Sequence, residues 1–133
     1  MPNEIAVSLV QIGASTTEAR IRQHKVLVDR PEAKGGADHG PMGGELFLAA
    51  VGGCLTSNLL AAIRARGAPV TRVHVDVTGT LTEAPSRFQA VDVRVTADCA
   101  DADLLQKLVE IADRGCIMTN TLRAGTNLTV RLG

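Results

Sequence analysis

The chain has 133 residues, 45% of them apolar and 21% charged, and only Phe47 and Phe88 are aromatic. Fourteen basic and fourteen acidic side chains cancel, and with no run of like charge and no stacking platform the composition argues against nucleic acid as a partner. A chain of this length fits one domain, residues 1–133, able to bury roughly two-thirds of its unfolded surface.

The opening MPNEIAVSLV lacks a basic segment followed by an apolar run and a small-residue cleavage site, so it reads as the start of a cytoplasmic protein rather than a secretory signal. Ile5, Val7 and Leu9 alternate with polar or small residues, and Val26 and Val28 flank Leu27. The pattern predicts two strands, joined as a hairpin by the turn-rich GASTTE at 13–18. PEAKGGADHGPMGG at 31–44 holds five glycines and two prolines and has no apolar period. It reads as a long, mobile loop of the kind that often serves function.

A helix is predicted from Glu45 to Arg66, with Gly67 as its cap and Pro69 blocking continuation. Leu46 to Ile63 approaches the length of a membrane span, about 18 residues. Thr56, Ser57 and Asn58 interrupt that run, together with Gly52 and Gly53, and no second span follows, so the helix reads as buried inside a protein with no membrane partner. A small domain cannot cover an apolar helix on every side, and this predicts a second subunit.

Val73, Val75 and Val77, the turn EAPSR, and Val91, Val93 and Val95 predict an antiparallel hairpin with one apolar face. A second amphipathic helix follows from Asp101 to Arg114, with Asp103–Lys107 and Glu110–Arg114 as i,i+4 pairs. Leu128, Val130 and Leu132 predict a closing strand. The order strand, strand, helix, strand, strand, helix, strand points to an α+β domain with a mainly antiparallel sheet.

The three cysteines, Cys54, Cys99 and Cys116, form no C-x-x-C pair, and His24, His39 and His74 are scattered, so metal-ligand spacing is absent. Each thiol reads either as a small buried hydrophobe or as a reactive group. Inside its apolar helix, Cys54 needs a nearby cation to react. Cys116 follows the second helix at the negative end of its dipole, which disfavours a thiolate unless the chain starts a new turn there. If the two cooperate, Cys54 is the better attacker and Cys116 the better second thiol. Gly52 and Gly53 clear space beside Cys54 for a backbone or a substrate.

HKVLVDRPEAKGGADHGPMGGELFLAAVGGCLTSNLL, then EAPSRFQAVDVRV, then LVEIADRGCIMTNTL resemble the osmotically inducible protein C and organic hydroperoxide resistance family, from about residue 18 to the end. The resemblance implies an intertwined homodimer with central helices wrapped by sheets. It also implies a thiol peroxidase in oxidative-stress defence, which reduces organic hydroperoxides through a Cys54 sulfenic acid and a Cys54–Cys116 disulfide. An external dithiol reopens that disulfide, with no bound cofactor and no metal.

In that family an arginine near the first hairpin activates the thiol and a glutamate orients it. The candidates are Arg20, with Arg22 second, and Glu45. Glu45 stands nine residues before Cys54, where the family places its glutamate ten before, at the position of Gly44. Gly43 and Ile117 replace prolines of the pattern. Glu45 reads equally well as a residue favoured at a helix N-terminus for dipole reasons. The alternative function is a dimeric redox sensor or apolar-ligand-binding protein on the same scaffold.

Overall fold

A computed structural model describes residues 3–133. The chain packs as two compact units, residues 1–47 and 48–133, taken separately below.

The first unit is a three-stranded antiparallel sheet of β1 (Ser8–Gln11), β2 (Thr17–Ile21) and β3 (His24–Val28), in that spatial order. Three strands stand where two were expected. Residues 12–16 join β1 to β2, the last two residues of GASTTE being already in β2, and β2 turns into β3 through Arg22 and Gln23, with Arg22 at a positive φ of 54°. An arginine in that conformation carries none of the glycine or asparagine signal by which such turns are read.

The glycine-rich segment is less free than its composition suggests. Thr16 Oγ1 donates to the fully buried Asp29 carboxylate at 2.7 Å, as do the backbone N–H groups of Arg30 at 2.7 Å and His39 at 3.1 Å. A Cβ on Gly36 would strike the Arg30 carbonyl, and one on Gly40 would strike that of Leu27. Glycine is required there because backbone passes against backbone.

Helix α1 (Gly43–Arg66) begins two residues earlier than predicted. Glu45 Oε1 accepts from the Met42 N–H at 2.8 Å, the reach-back half of a capping box. The helix is long and apolar enough to cross a membrane, with a mean hydropathy of 1.9 over its most apolar window.

In the second unit, β4 (Thr71–Thr82) and β5 (Arg87–Asp98) form the predicted hairpin, pairing Val75 with Val95 and Val77 with Val93. One apolar stripe of α1 (Val51, Leu55, Leu59 and Ala62) is buried. Leu55, Leu59 and Ala62 share a core with Leu108 and Ala112 of α2 (Ala102–Arg114) and with Cys116, while Val73, Val93 and Val95 of the hairpin pack against it. Leu59 and Leu108 are almost wholly buried, and each contributes about 1.5–3 kcal/mol by leaving water. Gly52 has a packing role, since a Cβ there would lie 2.7 Å from Val77 Cγ2. Gly53 has nothing within 4 Å.

Asp101 caps α2 by accepting from the Leu104 N–H at 3.0 Å. The expected Asp103–Lys107 and Glu110–Arg114 ion pairs are not formed among the described residues; Glu110 accepts from Gln106 instead. The chain then re-enters a helix, α3 (Ile117–Ala124), which the sequence pattern did not predict. The predicted closing strand is absent. Leu128, Val130 and Leu132 are 83%, 91% and 99% exposed, because no strand edge of the described residues lies alongside them to accept the pairing that their alternation prepares. The observed order is therefore β1-β2-β3-α1-β4-β5-α2-α3, an α+β chain with antiparallel sheets and three helices.

Candidate active site

The site lies in the second unit, where α1 meets the corner between α2 and α3. Cys54 sits in the middle of α1, half-buried, and Cys116 is fully buried in the core. Cys54 packs against the core cluster that contains Cys116. Two thiols 62 positions apart in sequence are thus brought together by the packing of α1 on α2. Cys99 also packs against this core, its Sγ donating to the Asp101 carbonyl at 3.2 Å.

Cys116 occupies the N-cap of α3. The condition under which the end of α2 ceases to disfavour a thiolate is met, because a new helix begins and presents its positive end. Burial pushes the thiol up. This is the largest single effect, but the Thr119 amide, the Cys54 thiol, the Thr119 side chain and the Met118 amide together outweigh it, and Cys116 lies below the ordinary thiol value.

Backbone and side-chain bonds fix the corner closely. The Cys116 N–H donates to the Asp113 carbonyl at 3.1 Å, and the Asn120 N–H to the Cys116 carbonyl at 3.0 Å. Thr119 Oγ1 donates to the Asp113 carbonyl at 3.1 Å, and Asn58 Nδ2 of α1 to the Ala112 carbonyl at 3.4 Å.

Arg123 crosses back from α3 and grips the Asp113 carboxylate with two hydrogen bonds of 2.9 Å each. The Arg123 guanidinium holds the Asp113 carboxyl below its usual range. Asp113 in turn raises Arg123, and the charge of Cys116 adds to the rise. Sequence reasoning missed both residues. Their spacing, three before and seven after Cys116, brings them together only if the chain forms a helix after the cysteine.

A cavity of about 530 Å³ is walled by Val51, Leu55, Phe88 and Leu122, with Thr119, Asp113 and Arg123 among its polar lining; neither thiol lines it. Among the described residues, no group of three or more His, Cys, Asp or Glu side chains is arranged to hold a metal ion.

The other sequence candidates lie in the first unit. Arg20 Nε donates to Glu18 Oε1 at 3.0 Å on an exposed face. Arg20 does not pair with Glu45, whose carboxylate is engaged by the Met42 amide. Arg22 forms the β2–β3 turn.

Residues 35–131 match the family model described as OsmC-like protein. No curated protein sequence matches the chain. Among solved structures, an OsmC-like protein from Mycoplasma pneumoniae superposes with a TM-score of 0.79 at 15% identity, covering 92% of this chain and 89% of that one. An organic hydroperoxide resistance protein from Elizabethkingia anophelis gives 0.70 at 19% identity, covering 92% and 91%. The organic hydroperoxide resistance protein OsmC from Legionella pneumophila gives 0.66 at 17%, covering 92% of each chain. The fold, and the match over most of the sequence, place the chain in the OsmC-like protein family.

Proposed function

We propose that the protein is a thiol peroxidase that reduces organic hydroperoxides to alcohols in the cytoplasm, acting as a homodimer in oxidative-stress defence. The observation that carries this reading is the packing of Cys54 against the core that holds Cys116. Cys54 attacks because it is the less buried thiol. Its sulfur takes the distal oxygen of the hydroperoxide, the O–O bond breaks, and the alkoxide leaves and is protonated to the alcohol. The resulting Cys54 sulfenic acid is attacked by Cys116, which expels hydroxide and closes a disulfide. An external dithiol reopens the disulfide by exchange. The chemistry resides in sulfur and needs no bound metal, haem or flavin. Two proteins of the same fold are organic hydroperoxide resistance proteins, which supports the substrate class.

One observation favours a second reading, a redox sensor that is oxidised but turns over little. Arg20 and Glu45 are each engaged elsewhere rather than paired with one another.

Steady-state assays with dihydrolipoamide separate the two readings. The peroxidase consumes cumene hydroperoxide faster than hydrogen peroxide, Cys54→Ser reduces the rate to that of free dithiol, and Cys116→Ser leaves a sulfenic acid on Cys54 that dimedone traps. A wild-type rate equal to that of free dithiol, or activity that survives Cys54→Ser, refutes it.

A further inference from the structure

Helix α2, like any α-helix, ends with four backbone carbonyls that have no partner inside the helix. The corner itself satisfies three of them. The Ile111 carbonyl accepts from the Gly115 N–H at 3.3 Å, that of Asp113 from the Cys116 N–H at 3.1 Å, and that of Arg114 from Asn120 Nδ2 at 3.0 Å. The fourth, on Ala112, is reached from another element: Asn58 Nδ2 of α1 donates to it at 3.4 Å. The same amide lies against Gly115, where an added Cβ would stand 3.7 Å from Nδ2, and Cys116 follows Gly115 directly. On its own helix Asn58 comes four residues after Cys54, about 6 Å along the axis and on the same face. One side chain therefore spans from the turn of α1 that carries one thiol to the backbone that carries the other. Leu55, Leu59 and Ala62 of α1 otherwise meet Leu108 and Ala112 of α2 through apolar surface. Apolar contact is non-directional and holds two helices close without fixing their register, whereas a hydrogen bond has a preferred length and angle.

We propose that Asn58 is a positioning residue of the thiol pair: by tying α1 to the end of α2 it sets the register in which Cys116 reaches Cys54. Its use in turnover rests on the peroxidase reading above. The first step, attack of the Cys54 sulfur on an external hydroperoxide, asks nothing of the position of Cys116. The second step does. The Cys116 sulfur bonds to the sulfenic sulfur of Cys54 as the S–O bond breaks, and the departing hydroxide takes the Cys116 proton and leaves as water. A disulfide tolerates only a narrow geometry, with Cα atoms roughly 4.4–6.8 Å apart. A slide of α1 along α2 therefore slows closure and leaves the attack on peroxide untouched.

The test separates the two steps in pre-reduced Cys99→Ser protein, where Cys54 and Cys116 are the remaining thiols. One equivalent of cumene hydroperoxide is added, the sulfenic acid is trapped with dimedone at successive times, and disulfide closure is read by mass spectrometry. Asn58→Leu keeps the bulk and removes the donor. It forms sulfenic acid at the parent's rate and closes the disulfide about fivefold more slowly, the factor that one net hydrogen bond corresponds to. Should leucine unfold the corner, as circular dichroism would reveal, Asn58→Ala removes the donor without added branching and gives the same reading. Closure at the parent's rate, or both steps slowed alike as a general loosening would slow them, overturns the proposal. Equilibration with glutathione mixtures needs no hydroperoxide and reads the same register: Asn58→Leu shifts the disulfide about fivefold toward the dithiol. A parent that reduces no hydroperoxide, but whose glutathione equilibrium moves with Asn58→Leu, refutes the peroxidase reading and leaves the positioning role standing. An active parent whose closure and equilibrium ignore Asn58 does the reverse. A parent in which oxidised glutathione closes no Cys54–Cys116 disulfide overturns both.

Discussion

Asp29 shows how much a single carboxylate can fix. Its carboxylate is fully buried and accepts from Thr16 Oγ1 and from the amides of Arg30 and His39, so one side chain ties the β1–β2 turn to the glycine-rich segment. Burial alone would raise its carboxyl, but the donors, led by Thr16, outweigh it and hold the group well below the usual carboxylate range. A carboxyl lowered on folding stabilises the fold fully above its unfolded value, about 3.9, and loses that contribution as pH falls below it. Asp29→Asn should therefore melt below wild type at neutral pH, since an amide nitrogen would face N–H donors with nothing to offer them. The gap in melting temperature should begin to narrow below about pH 5 and go on narrowing as pH falls toward the lowered folded-state value; a gap independent of pH would mean that the charge is not what matters. Nothing in HKVLVDRPEAKGG marks Asp29 as special, because its partners come from positions 16 and 39. The cysteines were legible because their neighbours in sequence are distinctive. Asp113 and Arg123 were not, because their meaning depends on a helix that had not been recognised.

The elements that sequence revealed are those whose apolar period runs long enough to declare itself. Helix α1, the β4–β5 hairpin and α2 all emerged close to where they were expected, α1 beginning at Gly43 rather than Glu45. Strand β2 was missed because it is only five residues, TEARI, and is closed by an arginine at positive φ. Helix α3 was missed because it is capped by Cys116, which is not among the usual N-cap residues, and has Ile117 where proline often marks the first position of a helix. The glycines of α1 also acquire different meanings once their neighbours are known. Gly52 is where Val77 of β4 presses closest on the helix, whereas Gly53 faces open space. Gly52→Ala gains about 1 kcal/mol of helix propensity but drives a methyl into a β-branched side chain that has little room to rotate, a clash worth about 1–3 kcal/mol. The net expectation is a lowered melting temperature and a looser seat for Cys54 two residues on. A variant more stable than wild type would show that the ribbon yields freely at Val77.

At the scale of the whole molecule, the single chain leaves apolar surface that water should not keep. Only 28% of the most apolar window of α1 is buried, and Leu60 on its open face is 50% exposed. Near the N-terminus Ile5 is 89% exposed, and Leu128, Val130 and Leu132 near the other end are nearly bare. Alternating Leu128, Val130 and Leu132 carry a strand's pattern, but no strand forms there among the described residues. The homodimer proposed above would account for both features if the second copy covered the exposed face of α1 and offered an edge for the terminal segment. The purified protein should sediment as a dimer of 13.9 kDa chains. Leu60→Glu, which sets a charge in the middle of that face, should shift it toward monomer, because an unpaired charge buried at an interface costs several kcal/mol. Sedimentation velocity at micromolar protein distinguishes the outcomes, and a wild-type monomer, or a Leu60→Glu dimer as tight as wild type, would place the subunit contact elsewhere or dispense with it. Since Leu60 is six residues, under two helical turns, from Cys54 on the same helix, the assay also bears on chemistry. Loss of peroxide turnover in a monomeric variant that keeps its circular dichroism spectrum would mean that assembly supplies part of the site.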